Sequence, residues 1–118
     1  MPTQSFRELK VWQKAHELVL HMYKYSEQFP KTETYCLTTQ LRRAAISVPA
    51  NIAEGYKKKG KADKLRFFNI AQGSLQEVHY YLILSADLGY GSTDSYLEVV
   101  DHVERMLQAY CQGIVANM

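Results

Sequence analysis

The stretch "RRAAISVPANIAEGYKKKGK", residues 42–61, decides the fold, because Pro49 stands inside a pattern that otherwise reads as helix. Leu41, Ala45, Val48 and Ile52 repeat at i, i+3/i+4 spacing and carry one apolar face across the proline without a slip. A proline in a helix interior deletes the bond from its own nitrogen to the carbonyl four residues back, here Ala45, and crowds that carbonyl, at about 3 kcal/mol. Either one helix ends near Ser47 and another opens at Pro49, or a single helix runs on with a kink. The unbroken register favours one long kinked helix, from about Glu33 to Tyr56. Ala44, Ala45, Ser47, Ala50 and Ala53 are small enough to let a neighbouring helix come close. Ser47 or the Asn51 amide is placed to bond freed backbone groups.

Three more helices flank this one. Upstream, from about Arg7 to Phe29, Leu9, Trp12, Val19 and Tyr23 form one apolar stripe, and Val11, Ala15, Leu18, Met22 and Phe29 form another. Pro30 biases Phe29 out of the helical region and breaks the chain there. Downstream, Gly55 loosens the end of the second helix and Gly60 punctuates it. A third helix spans about Ala62 to Leu88, with Leu65, Phe68, Ala71, Leu75, Val78 and Leu82 at 3-4-3-4 spacing. "GYGSTD", residues 89–94, supplies a glycine stop and polar capping candidates for the fourth. There Tyr96, Val100, Val103, Leu107, Tyr110 and Ile114 repeat in the same way. No strand alternation occurs. The pattern predicts an all-α fold, an antiparallel four-helix bundle with short connections, as one domain over residues 1–118.

Composition supports a globular chain. Apolar residues are 47% and charged residues 22%, too apolar for a disordered polymer. No apolar run approaches the roughly 20 residues that span a bilayer. Met1-Pro2-Thr3-Gln4 lacks the charged-then-apolar pattern of a secretory signal. Cys36 and Cys111 show no CxxC spacing, so the expectation is two half-buried reduced thiols in a cytoplasmic protein, with no membrane role.

Enzyme signatures are missing. Glu17/His21 and Glu98/His102 are i, i+4 pairs, but the Glu-x-x-His pattern of di-iron bundles does not occur. Nor does a glycine-rich phosphate loop, a nucleophile elbow or a zinc motif. The sequence therefore predicts no catalysis, metal or cofactor.

Two features point to partners instead. The first is surplus apolar surface. The two stripes of the first helix cover more than half its circumference, and Phe67, Ile70, Leu84 and Leu88 flank the seam of the third. A monomeric bundle buries about one face per helix, so the surplus predicts a homo-oligomer, and nine tyrosines suit its interfaces. The second is charge. The chain is +2 overall, yet residues 42–66 hold Arg42, Arg43, Lys57, Lys58, Lys59, Lys61, Lys64 and Arg66 against Glu54 and Asp63. That segment is +6 and the remainder −4, so the basic character is local. With Tyr56, Phe67 and Phe68 interleaved, the run suits the phosphate backbone of RNA or DNA, with stacking as a supplement; the plainer alternative is a solvated loop. Copies arranged in a ring would gather the patches into one positive band. Asp94, Glu98, Asp101 and Glu104 place acid on the fourth helix, on a side that should face away from nucleic acid. Arg43, Ser47, Asn51, Glu54 and Lys58 form a polar stripe on the second helix. That stripe is either a solvated face or an interfacial network in which Glu54 pairs an arginine.

The segments "FRELKVWQKAHELVLHMY", "FPKTETYCLTTQLRRAAISVPANIAEG" and "FFNIAQGSLQEVHYYL" resemble a family of proteins encoded within intervening sequences of bacterial large-subunit ribosomal RNA. The resemblance covers about residues 6–110 and is carried most specifically by "RRAAISVPANIAEG" with "AQGS". It is similar, too, to the accessory variability determinant of diversity-generating retroelements, a basic pentameric barrel that binds nucleic acid and a reverse transcriptase. The resemblance implies a left-handed antiparallel bundle in a homopentameric ring, no catalytic residues, and a reverse transcriptase as a further partner. It carries over to Arg42, Arg43, Pro49, Asn51, Glu54, Gly55, Gly73, Ser74 and Glu77. The chain departs from the pattern at Cys36, where glycine is expected, and at Gln72, where a basic residue is common.

Overall fold

A computed structural model describes residues 5–117; residues 1–4, where no signal pattern was read, lie outside the described residues. A 3-10 turn, Phe6–Glu8, precedes four helices: α1 Lys10–Ser26, α2 Leu37–Lys57, α3 Lys61–Asp87 and α4 Asp94–Ala116. A second 3-10 turn, Lys31–Glu33, lies between α1 and α2, and the described residues contain no strand.

The core follows the predicted stripes. Val11, Ala15, Leu18 and Met22 of α1 meet Leu41, Ala45, Val48 and Ile52 of α2, Phe68, Ala71, Leu75, Val78 and Leu82 of α3, and Val100, Val103 and Leu107 of α4. All are nearly or fully buried. Burying a side chain of the Val/Leu/Phe class stabilises by about 1.5–3 kcal/mol, so this cluster supplies the main driving force.

Helix α2 runs unbroken through Pro49, so the chain does not end one helix at Ser47 and start another. The buried proline lines a cleft together with Phe6 of the first 3-10 turn, Trp12 and Val19 of α1, and Ile46. The Asn51 amide donates to the Ser47 carbonyl at 2.8 Å and to Ser47 Oγ at 2.9 Å. It therefore reaches the carbonyl of Ser47 rather than that of Ala45. Ser74 Oγ of α3 donates to the same Ser47 hydroxyl at 2.8 Å, which ties α3 to α2.

The boundaries shift from the sequence expectation. Leu9 is extended (ψ 125°), which holds Phe6–Glu8 apart from α1, and α1 ends at Ser26 rather than Phe29. α2 begins at Leu37 rather than Glu33, because Cys36 has φ −128° and ψ −102°, outside helical geometry. The Glu33 carboxylate accepts from the Leu37 amide at 3.3 Å and partly satisfies that end. Gly55 does not loosen α2: a side chain there would meet Phe68 Cε1 at 3.0 Å and Phe67 Cβ at 3.2 Å. Its missing Cβ is what lets α2 and α3 close. The α3–α4 turn is a Schellman motif, with Gly89 (φ +80°) donating to Ala86 and Tyr90 to Ser85, both at 2.9 Å. Thr93 occupies the N-cap of α4 but makes no capping bond through its side chain. Cys36 is exposed, not half-buried, whereas Cys111 is half-buried and its thiol is pushed up by burial.

Candidate nucleic-acid interface

The end of α2, the start of α3 and the last turns of α4 meet at one end of the 46 Å long axis, and six of the eight candidate basic residues lie there. Lys58–Gly60 is all the chain between α2 and α3, so Lys57, Lys58, Lys59, Lys61, Lys64 and Arg66 are forced into one turn and its flanks. Their roles differ. Lys57 and Lys59 are exposed and make no hydrogen bond or ion pair among the described residues. Lys58 Nζ lies 5.0 Å from the Phe67 ring centre and the Arg66 guanidinium 4.8 Å from it, so Phe67 carries two cations. Arg66 also faces Asp63 at 3.8 Å.

Lys64 serves the fold. Its ammonium donates to the Gly55 carbonyl at 3.2 Å and the Tyr56 carbonyl at 2.7 Å. A cation at a helix C-terminus satisfies orphan carbonyls and complements the dipole. Burial lowers its pKa. Lys61 donates to the Asn117 carbonyl, which draws the end of α4 onto the turn.

Arg42 and Arg43 are not part of this cluster. They sit about 20 Å away along α2, at 1.5 Å per residue. Arg42 staples α2 to α1: its Nε donates to Ser26 Oγ at 2.8 Å, and its guanidinium lies 4.6 Å from the Tyr23 ring centre. Arg43 is exposed. Glu54 is exposed as well and pairs with no arginine among the described residues of the chain, while Ser47 and Asn51 are half-buried and bonded. The polar stripe of α2 is thus interhelical in its middle, exposed at Arg43 and Glu54, and half-buried over Phe67 at Lys58.

The aromatic candidates also separate. Phe68 is 1% exposed and packs edge-on against Tyr110 at 5.5 Å, so it cannot stack with a base. Tyr56 lines a groove of about 570 Å³ with Tyr110, Gly113 and Ile114 of α4 and the lysines of the turn. The α4 side of this site was missed in the sequence, where Tyr110 and Ile114 read as seam positions. One signal was available: α4 carries no charged residue after Arg105. The acidic residues Asp94, Glu98, Asp101 and Glu104 occupy the first half of α4 instead.

Elsewhere, Glu17 bridges Lys14 (3.4 Å) and His21 (3.5 Å), a surface link that lowers its pKa chiefly through the Lys14 hydrogen bond. No group of three or more His, Cys, Asp or Glu among the described residues could hold a metal ion. No helix among them is long and apolar enough to cross a membrane. On α3, Ile70, Tyr80 and Ile83 are exposed, as is Leu88 at its C-cap, whereas Leu84 is half-buried against the core.

The model of a family described as 23S rRNA-intervening sequence protein matches residues 7–110. Among solved structures, a protein of unknown function from the S23 ribosomal protein family of Bacteroides thetaiotaomicron is similar in fold. It is 22% identical, with a TM-score of 0.74 over 86% of this chain and 97% of that chain. No curated protein matches the chain.

Proposed function

The chain belongs to the 23S rRNA-intervening sequence protein family, and from that premise we propose that it is a non-enzymatic, cytoplasmic, oligomeric nucleic-acid-binding protein. The observation that carries the reading is the convergence of Lys57, Lys58, Lys59, Lys61 and Arg66 on one end of the bundle, where Lys57 and Lys59 are uncommitted. Lysines on a short turn suit phosphates, which position a nucleic acid without reading its sequence. The family's link to ribosomal RNA supports RNA as the ligand.

The assembly proposed is a homopentameric ring of antiparallel bundles. Helix α3 buries its seam and also exposes Ile70, Tyr80 and Ile83, with Leu88 at its C-cap, and these apolar side chains suit burial against a second copy. A ring would set five basic ends side by side and deepen their potential. The reverse transcriptase suggested by the retroelement resemblance draws no support from the family match or the structural neighbour, and the proposal stands without it.

Binding to structured RNA should fall with salt at a log–log slope of about −3 or steeper, from a few phosphates per chain at about −0.7 to −0.9 each. Changing Lys57, Lys58 and Lys59 to glutamine should weaken binding for all sequences and flatten that slope. Absence of binding to RNA or DNA at about 50 mM salt, where such contacts are strong, overturns the reading in favour of a protein-binding scaffold. Light scattering tests the assembly: a mass near the 13.6 kDa of one chain overturns it. A charged residue at Ile70 or Leu88 should dissociate the ring while leaving each bundle helical.

A further inference from the structure

The same end of the bundle holds a shaped groove as well as a charged surface. Tyr56, Phe68, Tyr110 and Ile114 give it an apolar, largely aromatic lining, and Lys59 and Lys61 stand at its edge. Phe68, fully buried, backs Tyr110 edge-on, while Tyr110 stays 38% exposed. Gly113 follows one turn later on α4, and a Cβ built on it would meet nothing within 4 Å, so the helix surface beside Tyr110 is open. Lys64 is committed to the end of α2, which leaves Lys59 and Lys61 as the available cations; Lys61 would exchange its bond to the Asn117 carbonyl for a phosphate.

An aromatic floor with a cationic edge recognises a flat apolar ring attached to an anion. We propose that this groove binds one unpaired nucleotide of a bound strand, its base against Tyr110 and Tyr56 and its phosphate on Lys59 and Lys61. The proposal rests on the nucleic-acid reading and narrows it. The lysines outside the groove grip any phosphate backbone, whereas the groove selects a base that is out of its stack, because a base stacked within a duplex has both faces covered by its neighbours. A volume of about 570 Å³ accommodates a single nucleotide.

The test compares a short oligoadenylate with a blunt RNA duplex of equal length, each fluorescently labelled. Gly113→Trp is designed to fill the groove, and Gly113→Ala is its control. The wild type should prefer the single strand, and adenosine monophosphate should compete for it. Gly113→Trp should lose about tenfold on the strand, in the range that stacking on one aromatic supplies, with duplex binding and its salt slope unchanged. Gly113→Ala should behave as wild type. If Gly113→Trp does not fold, Tyr110→Leu keeps the packing on Phe68, removes the ring and should show the same selective loss. Equal strand affinity in the filled variant, or no preference for strand over duplex, overturns the groove site and leaves the phosphate reading intact. Displacement of the strand by laurate, with adenosine monophosphate inert, overturns it in favour of an acyl-chain site. No binding to either nucleic acid overturns both readings together.

Discussion

The two ends of the bundle are built from similar residues to opposite effect. At one, tyrosines close the structure. Tyr25 of α1 hydrogen-bonds Ser85 of α3 at 2.7 Å, Ser85 donates in turn to the Leu82 carbonyl, and the Tyr25 ring leans on Phe29 and Tyr96. Tyr90 reaches the Glu33 carboxylate at 2.8 Å and stands 5.4 Å from Phe29. Gly91, at φ +153°, passes so close that a Cβ would lie 3.1 Å from the Tyr25 ring. At the other end, Tyr56 and Tyr110 line an open groove; Lys57 and Lys59 face solvent, while Lys61 and Lys64 are held by backbone carbonyls. The difference lies in what meets each hydroxyl and ring. Where Ser85 and Glu33 meet the tyrosine hydroxyls, the end locks; where the rings border a groove edged by Lys59 and Lys61, it stays open to an anionic partner.

Mutations should separate the two ends by stability and by binding. The largest stability effect belongs to the closed end. Tyr25→Ala should cost about 3–5 kcal/mol, the range for truncating a buried aromatic, in urea unfolding, with no direct effect on nucleic-acid binding by the folded protein. A loss below about 1 kcal/mol, the level of an ordinary substitution, would show that this end is not the lock it resembles.

Gly55→Val comes next and probes how tightly α2 and α3 close behind the groove. Phe68 is buried and cannot yield, so overpacking should cost about 2 kcal/mol. The same change should weaken strand binding, because Phe68 backs Tyr110. Thermal melts and fluorescence titration check the two parts separately.

Tyr25→Phe should cost about 1 kcal/mol, the net value of one hydrogen bond, and it carries a pH signature. Burial raises the Tyr25 pKa above 10.0, opposed by its bond to Ser85. The unfolded tyrosine therefore gives up its proton first, and the native state holds more protons as pH rises past 10. The stabilisation is whole below that pH and is lost as pH climbs through the folded value. Denaturation curves should show a shallower alkaline fall in Tyr25→Phe than in the wild type. An unchanged fall would assign the titration to other raised tyrosines, Tyr81, Tyr90 and Tyr110.

The smallest stability effect belongs to the open end. Replacing Lys57, Lys58 and Lys59 with glutamine should move stability by under about 1 kcal/mol, because Lys57 and Lys59 are exposed and Lys58 loses only its contact with the Phe67 ring. Its effect should appear in RNA affinity instead. A stability change above about 1 kcal/mol, beyond the usual surface range, would show these lysines to be structural, as Lys64 is.

The sequence by itself determined the four helices and their buried faces, because apolar periodicity is local and survives even Pro49. It placed the basic run on the correct connection for the same reason. It misread residues whose role depends on a distant neighbour. Arg42 looked like a phosphate ligand until Ser26 and Tyr23 came beside it; Phe68 read both as a seam residue and as an aromatic beside the lysines, and packing under Gly55 keeps only the first role. Lys64 looked like one more free cation until the Gly55 and Tyr56 carbonyls claimed it. The groove needs α4 to return to the α2–α3 turn, more than 40 positions away in the chain. No spacing rule encodes that meeting. Packing decides it, because the four apolar stripes can all be buried at once only when the helix ends converge, and that convergence sets Tyr110 and Gly113 beside the lysines.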